Sequence, residues 1–203
     1  MTETMDFTPC QDMMHTSVST AIVTDNNDPD ALGRVKLRYP WSTDGSESSW
    51  VRVSTIMAGH EQGFYFMPEV EQEVLVVFVN NDVEYPIVIG TLWNQSYQPP
   101  GNTENQENDI KMIQSRMGHK IVFNDNEGGE GKLEISSKSG HKILLDDNGS
   151  IVIEDSAGSS IEFDANSSAI KIKSSMDVSI EAVNINIKAS GQLTLEGAIV
   201  SIN

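Results

Sequence analysis

The sequence predicts an all-β protein in two parts, a small barrel-like domain followed by a stack of short strands, and three observations carry that prediction. From Gly118 onward apolar and polar residues alternate in short bursts, each closed by Gly, Asp, Asn or Ser. A period of two is the mark of a strand with one face buried and one wetted. Between Val18 and Trp93, runs rich in β-branched residues are broken by clusters of turn formers. No segment of ten or more residues keeps apolar positions at helical spacing between caps.

Taken in order, residues 1–17 are polar and Met-rich without a clear period, and read as a linker or a cut end. Residues 18–93 read as one small all-β domain. Its strands are SVSTAIVTD, RVKLRYPW and SWVRVSTI, separated by the turn stretches NNDPDALG and STDGSES. The continuous apolar run from Glu73 to Val79 suits a strand buried on both sides or curled into a barrel. A further strand, EYPIVIGTLW, follows the turn NND. Residues 94–109, with paired prolines and many Asn and Gln, have almost nothing to bury and read as a linker.

Residues 110–203 carry the alternating bursts. The apolar pairs are Ile121/Phe123, Leu133/Ile135, Ile143/Leu145, Ile151/Ile153, Ile161/Phe163, Ile170/Ile172, Val178/Ile180, Ile185/Ile187, Leu193/Leu195 and Val200/Ile202. GHKIVFND at Gly118 recurs as GHKILLDD at Gly140 and loosely as GSSIEFDA at Gly158, a solenoid-like signature. Two inward side chains per burst are too few to bury a core unless many coils stack or several chains combine. Ten strand passes at about 4.8 Å give a rod on the order of 50 Å long.

Composition narrows the function. Thirty acidic against thirteen basic residues give a formal charge of -17, shared between both halves. Such a chain is a poor partner for nucleic acid and is repelled by anionic phospholipid, so a membrane encounter must be forced and transient. The single cysteine, Cys10, excludes an intramolecular disulfide and a Cys-rich zinc site. No apolar run approaches a membrane span, and the start lacks the order of a secretory signal. Folding in the cytoplasm is expected, with export depending on a dedicated machine.

The string AIVTDNNDPDALGRVKLRYPW, then Trp50-Val51-Arg52-Val53, then FMPEVEQEVLVVFVNNDVEYPIVIGTLWN resembles the OB-fold domain of VgrG-type spike proteins. These belong to type VI secretion, extracellular contractile injection particles and contractile phage baseplates. The later SGHKILLDD and ASGQLTLEGAIVSIN resemble the same family's β-helical needle. The resemblance implies a homotrimer in which three OB-fold barrels form a collar and three chains wind into a triangular β-prism. It implies hub, baseplate and tail-tube proteins as neighbours, a conical PAAR-repeat tip protein on the blunt end, and effectors as possible cargo. The chain would be assembled in the cytoplasm, then secreted or injected with the particle. Family members carry a hub portion before the OB domain, whereas only about seventeen residues precede it here, as in an excised needle or a short phage-type spike.

Candidate chemistry is sparse. His119 and His141 share parity with the apolar residues that follow them, so three imidazoles could meet on a threefold axis around a metal ion; the preferred reading is a Gly-His turn before a strand. Some phage spikes bind iron through a His pair near the C-terminus, and here the last histidine is His141. Asp125, Asp146, Asp147 and Asp155 lack the nine-residue spacing of calcium-binding repeats and read as solvated turn carboxylates. No G-x-S-x-G elbow or carboxylate pair in a motif is present, and Cys10 has no placed His partner. Neither a catalytic residue nor a metal or cofactor is therefore expected. Trp41, Trp50, Phe64, Tyr65 and Phe66 form a conceivable stacking platform, but the acidic balance favours barrel core and trimer contacts. The segment Ala198, Ile199, Val200, Ser201, Ile202 and Asn203 ends inside an alternating burst without a polar cap, and is assigned to the tip-protein interface.

The expected function is a non-enzymatic, membrane-puncturing spike that works by force transmission. A single-chain OB plus β-solenoid module that binds polysaccharide is the alternative, opposed by the absence of an aromatic ladder: after residue 110 the aromatics are Phe123 and Phe163, both on the inward parity. A β-helical lyase or hydrolase is opposed by the missing catalytic cluster.

Overall fold

Turn chemistry and period-two burial fold the first part of the chain into a closed five-stranded barrel. The computed structural model describes residues 17–101, 107–126, 128 and 131–201, and divides between Pro99 and Pro100 into two units. The first contains β1 (Val18–Asp25), β2 (Arg34–Arg38), β3 (Val51–Val53), the short pair β4 (Ala58–Gly59) and β5 (Gln62–Gly63), β6 (Glu73–Phe78) and β7 (Pro86–Thr91). Around the barrel the order is β1-β2-β3-β7-β6, with β6 pairing back onto β1. The β3–β7 contact is parallel and the other barrel contacts are antiparallel.

Alternate residues fill the interior. Ala21 and Val23, Val35 and Leu37, Val51, Val74, Val76 and Phe78, and Val88 are all buried, and together form the core cluster. The apolar run expected to be buried on both sides or curled into a barrel takes the second course: Val74, Val76 and Phe78 point in, while Leu75 and Val77 are only half-covered. A barrel strand has one dry face, so the outward residues of even an all-apolar run keep some contact with water.

The loop between β1 and β2 is built on one carboxylate. Asp28 accepts the backbone N–H groups of Asp30, Leu32 and Arg34 at 3.0–3.3 Å and a two-pronged ion pair from the Arg34 guanidinium at 2.7 and 2.8 Å. Asp30 takes a third contact from the same guanidinium at 2.6 Å. The Asp28 side chain is only 3% exposed. Bonding to the Arg34 guanidinium first, and to the three backbone donors after it, holds its carboxyl well below the usual carboxylate range. At the other end of the barrel the NND turn places Asn80 and Asn81 at φ 55° and 61°, a conformation that asparagine tolerates better than most residues.

The barrel core departs from expectation in one respect. Among its described aromatics only Phe78 is buried; Tyr39 and Trp41 stack at 4.5 Å and pack on Phe78. Trp50 lies beneath the cations of Lys36 and Arg34 at 5.3 and 6.0 Å. Phe64, Tyr65 and Phe66 follow the β4–β5 excursion and are exposed. They fall outside the barrel ladder, so parity does not turn them inward.

The second unit is an antiparallel meander of seven strands: β8 (Ile110–Gln114), β9 (Lys120–Asn124), β10 (Lys132–Ser136), β11 (Lys142–Asp146), β12 (Ser150–Glu154), β13 (Ser160–Asp164) and β14 (Ala169–Lys173). Every neighbour in the sheet is a neighbour in the chain. The 22-residue repeat is thus two strands and two turns of a meander, and the described residues of this unit enclose no core of their own. Glycines at the turns take left-handed φ, 90° at Gly118, 92° at Gly140, 97° at Gly149 and 91° at Gly158, where a side chain would be strained. The described residues from 174 onward contain no strand, although the alternating pattern continues through them.

The Asp28 cluster yields a pH prediction. Because the folded-state pKa is depressed, the stabilisation is present above the ordinary carboxylate range and is lost as pH falls, from about pH 5 downward. Asp28→Asn is expected to lower the thermal midpoint of the barrel at pH 7 and to flatten its fall on acidification, as read by circular dichroism melts from pH 7 to pH 2.

Candidate assembly surface

The register of the second unit stacks its apolar residues into two continuous columns. One runs Ile113, Ile121, Ile135, Ile143, Ile153, Ile161 and Ile172 through consecutive strand pairings. The other runs Phe123, Leu133, Leu145, Ile151, Phe163 and Ile170, and begins one strand later because Lys111 stands opposite Phe123. Cross-strand neighbours of this kind are the unit of sheet stabilisation, and a slip of one residue would carry both columns to the opposite face.

These columns are uncovered. Ile143, Leu145, Ile151, Ile153, Ile161 and Phe163 remain between 38% and 44% exposed, and Ile170 and Ile172 exceed 60%. Among the described residues of this unit Gly131 alone is buried. A sheet of this kind must lay its apolar face against another layer, and the described residues of this unit supply none. Burying an Ile, Leu or Phe side chain contributes about 1.5–3 kcal/mol, so two columns withdrawn from water together are a large driving force. The opposite face carries cross-strand ion pairs, Lys142 with Glu154 at 3.2 Å and Lys171 with Glu162 at 2.8 Å, as a solvated face does.

Residues 174–201 continue the pattern without a ladder. Val178, Ile180, Ile185, Ile187, Leu193 and Leu195 are all exposed. Alternating residues need a neighbouring strand to complete their backbone hydrogen bonds, and the described chain offers none there. Of the segment assigned to a tip interface, Ala198, Ile199, Val200 and Ser201 are exposed, with Ile199 at 86% and Val200 at 52%. Ile202 and Asn203 lie outside the described residues, as do Cys10 and residues 1–16.

The histidines occupy turns. Ser115 and Ser137 each open a turn closed by Gly118-His119 and Gly140-His141, and each serine Oγ accepts the backbone N–H of the histidine at 3.1 Å. Each Nδ1 in turn accepts a backbone N–H from the next turn on the same margin, Lys138 for His119 and Ser156 for His141, both at 3.4 Å. Asp146 and Asp155 serve as turn caps, accepting the N–H of Ser150 and Ser159 at 2.9 Å, and Asp125 pairs with Lys111 at 2.8 Å. Hydrogen bonds lower the pKa of three turn aspartates: from the Ser150 hydroxyl and then its N–H for Asp146, from the N–H groups of Ser159 and Ala157 for Asp155, and from the Ser167 hydroxyl and then its N–H for Asp164. No group of three His, Cys, Asp or Glu among the described residues is arranged to hold a metal ion. Sequence reading registered the repeated Gly-His but missed the link between turns; the serine four residues before each histidine was the available signal.

Comparison with known proteins places both units. Residues 19–93 match the family described as the type VI secretion system/phage-baseplate injector OB domain. Residues 110–171 match the phage baseplate V C-terminal trimerisation domain. The chain is similar to the actin cross-linking toxin VgrG1 of Vibrio cholerae serotype O1, with 34% identity over 109 residues, covering 50% of this chain and 10% of that protein. It is similar to the type VI secretion system spike protein VgrG2a of Pseudomonas aeruginosa, with 35% identity over 75 residues, 35% of this chain and 9% of that protein. Against the spike protein VgrG1a of the same organism the identity is 32% over 104 residues, 47% of this chain and 16% of that protein. The chain therefore spans only a small part of these relatives' length. The trimerisation match falls on the strands that carry the uncovered columns.

Two adjacent residues separate the faces. Ile153→Lys, in the apolar column, is expected to shift the protein toward smaller species in sedimentation velocity, whereas Val152→Lys, which would stand opposite Glu162, is expected to leave the mass unchanged.

Proposed function

We propose that this chain, a member of the injector-spike family of type VI secretion systems and phage baseplates, is one of three identical subunits of a spike that transmits force through a target membrane. The uncovered two-column face of the second unit carries this reading. Three copies that turn these columns toward a common axis give each sheet the apolar layer its own chain lacks. Residues 174–201 then find their missing ladders in neighbouring chains, which accounts for an alternating pattern with no intrachain strand. In such a shaft, backbone hydrogen bonds and a dry core resist buckling while sheath contraction supplies the work.

In this reading hub, baseplate and tail-tube proteins are the spike's neighbours in the particle. The open end at Ala198, Ile199, Val200, Ser201, Ile202 and Asn203 receives a PAAR-type tip protein, and effectors travel as cargo. The subunits assemble in the cytoplasm and leave with the particle. Membrane contact is transient, since a charge of -17 gives the spike no affinity for anionic lipid. The role is mechanical and the chain itself is not an enzyme; the actin cross-linking named for one relative belongs to that protein, of which the matched part is 10%.

Two measurements test the proposal. Light scattering under native conditions should give three times the chain mass of 22.3 kDa, and a monomer would overturn the trimer. The cognate tip protein should bind the trimer and lose binding on Val200→Asp with Ile202→Asp; binding undiminished by the double variant would remove the tip assignment while leaving the trimer standing.

A further inference from the structure

One margin of the second-unit sheet carries three turns of the same construction, at residues 115–119, 137–141 and 155–159. In each, the first residue donates its N–H to the carbonyl of the fifth, at 2.9, 2.9 and 3.0 Å, and its side-chain oxygen accepts the N–H of the fifth. The fifth residue is His119, His141 and then Ser159. Both histidines reach to the following turn with the same atom and to the same position, Nδ1 accepting the N–H of its second residue: Lys138 from His119, and Ser156 from His141. Two independent occurrences of one contact, 22 residues apart, mark it as a feature of the repeat. A ring nitrogen can accept a hydrogen bond only while it carries no proton.

We propose that His119 and His141 form a pH-sensitive seam that ties successive turns of this margin together when neutral and releases them when protonated. A proton on Nδ1 converts the acceptor into a donor, and the facing N–H can no longer be served. Arg116, Lys120 and Lys138 stand in or beside the turns around His119, and Lys138 and Lys142 flank His141. Of the acidic groups near this margin, Glu154 pairs with Lys142 at 3.2 Å, Asp155 accepts the N–H groups of Ala157 and Ser159 at 2.8 and 2.9 Å, and Asp177 lines a pocket together with Asp155 and Ser159. The seam rests on the turn geometry and goes beyond the spike reading.

The experiment is amide exchange by NMR on the full-length protein in its native assembly, at pH 8 and pH 5, with rates corrected for intrinsic exchange and particle mass checked at both. In the native protein the amides of Lys138 and Ser156 should exchange about 2- to 10-fold faster at pH 5, the range expected for loss of one hydrogen bond. His119→Ala should free Lys138 at both pH values and leave Ser156 unchanged, and His141→Ala should do the reverse. His119→Asn with His141→Asn offers an acceptor oxygen that does not titrate, and should remove the pH dependence. Native amides no faster at pH 5 than at pH 8, or alanine variants as protected as the native protein, would overturn the seam. Should an alanine variant fail to assemble, the native and asparagine arms still decide.

Discussion

A strand of five residues offers two side chains to one face, and in the second unit every strand is of that length. With fourteen inward positions at most on its strands, and no helix or second sheet among its described residues to lay against them, the unit forms its ladder without reaching an interior. All of its other features follow from that shortage. The register must be strict, because only an unbroken column makes an apolar surface worth covering. The turns must be regular, because they alone set that register. In the proposed spike the layer that dries the columns comes from the other copies of the chain. The barrel unit solves the same problem by closing on itself: nine residues from five strands meet inside, and no partner is needed for them to stay dry.

The turns show how little sequence is required to fix such a register. A serine or aspartate accepts the N–H four residues later, a glycine takes the left-handed conformation between them, and the flanking strands are aligned to the residue. The same economy appears in the barrel, where Asp28 satisfies three backbone donors and a guanidinium and thereby shapes a whole loop. Single capping side chains, rather than bulk, define the connections in both units.

Much of this architecture was legible in the residues, for reasons that also explain what was not. The bursts from Ile121/Phe123 to Ile170/Ile172 each became a strand, since period-two alternation and a glycine turn leave a short segment few other choices. Alternation does not say which strand lies alongside, so the pairs from Val178/Ile180 onward promised ladders that a single chain does not form. For the same reason the repeat of Gly118 and Gly140 fitted a coil as well as a meander. The β4–β5 excursion was invisible, because two-residue strands in AGHEQG carry no period, and with it went the outward placement of Phe64, Tyr65 and Phe66. The interior of the barrel was readable from Val74, Val76 and Phe78, whose spacing fixes which of them point inward once the sheet is known to close.

The contrast between a barrel with its own core and a sheet without one has a consequence for how the chain comes into being. The barrel precedes the sheet in the sequence, so during synthesis it can finish folding while later residues are still being added. In the proposed trimer the sheet cannot finish in that way, because its columns stay wet until neighbouring copies cover them. The first half thus matures on a clock set by its own chain, and the second on one set by encounter, which slows in proportion as chains are scarce. In a dilute cell the abundance of this protein, as much as its sequence, decides how much of it ever becomes a finished object.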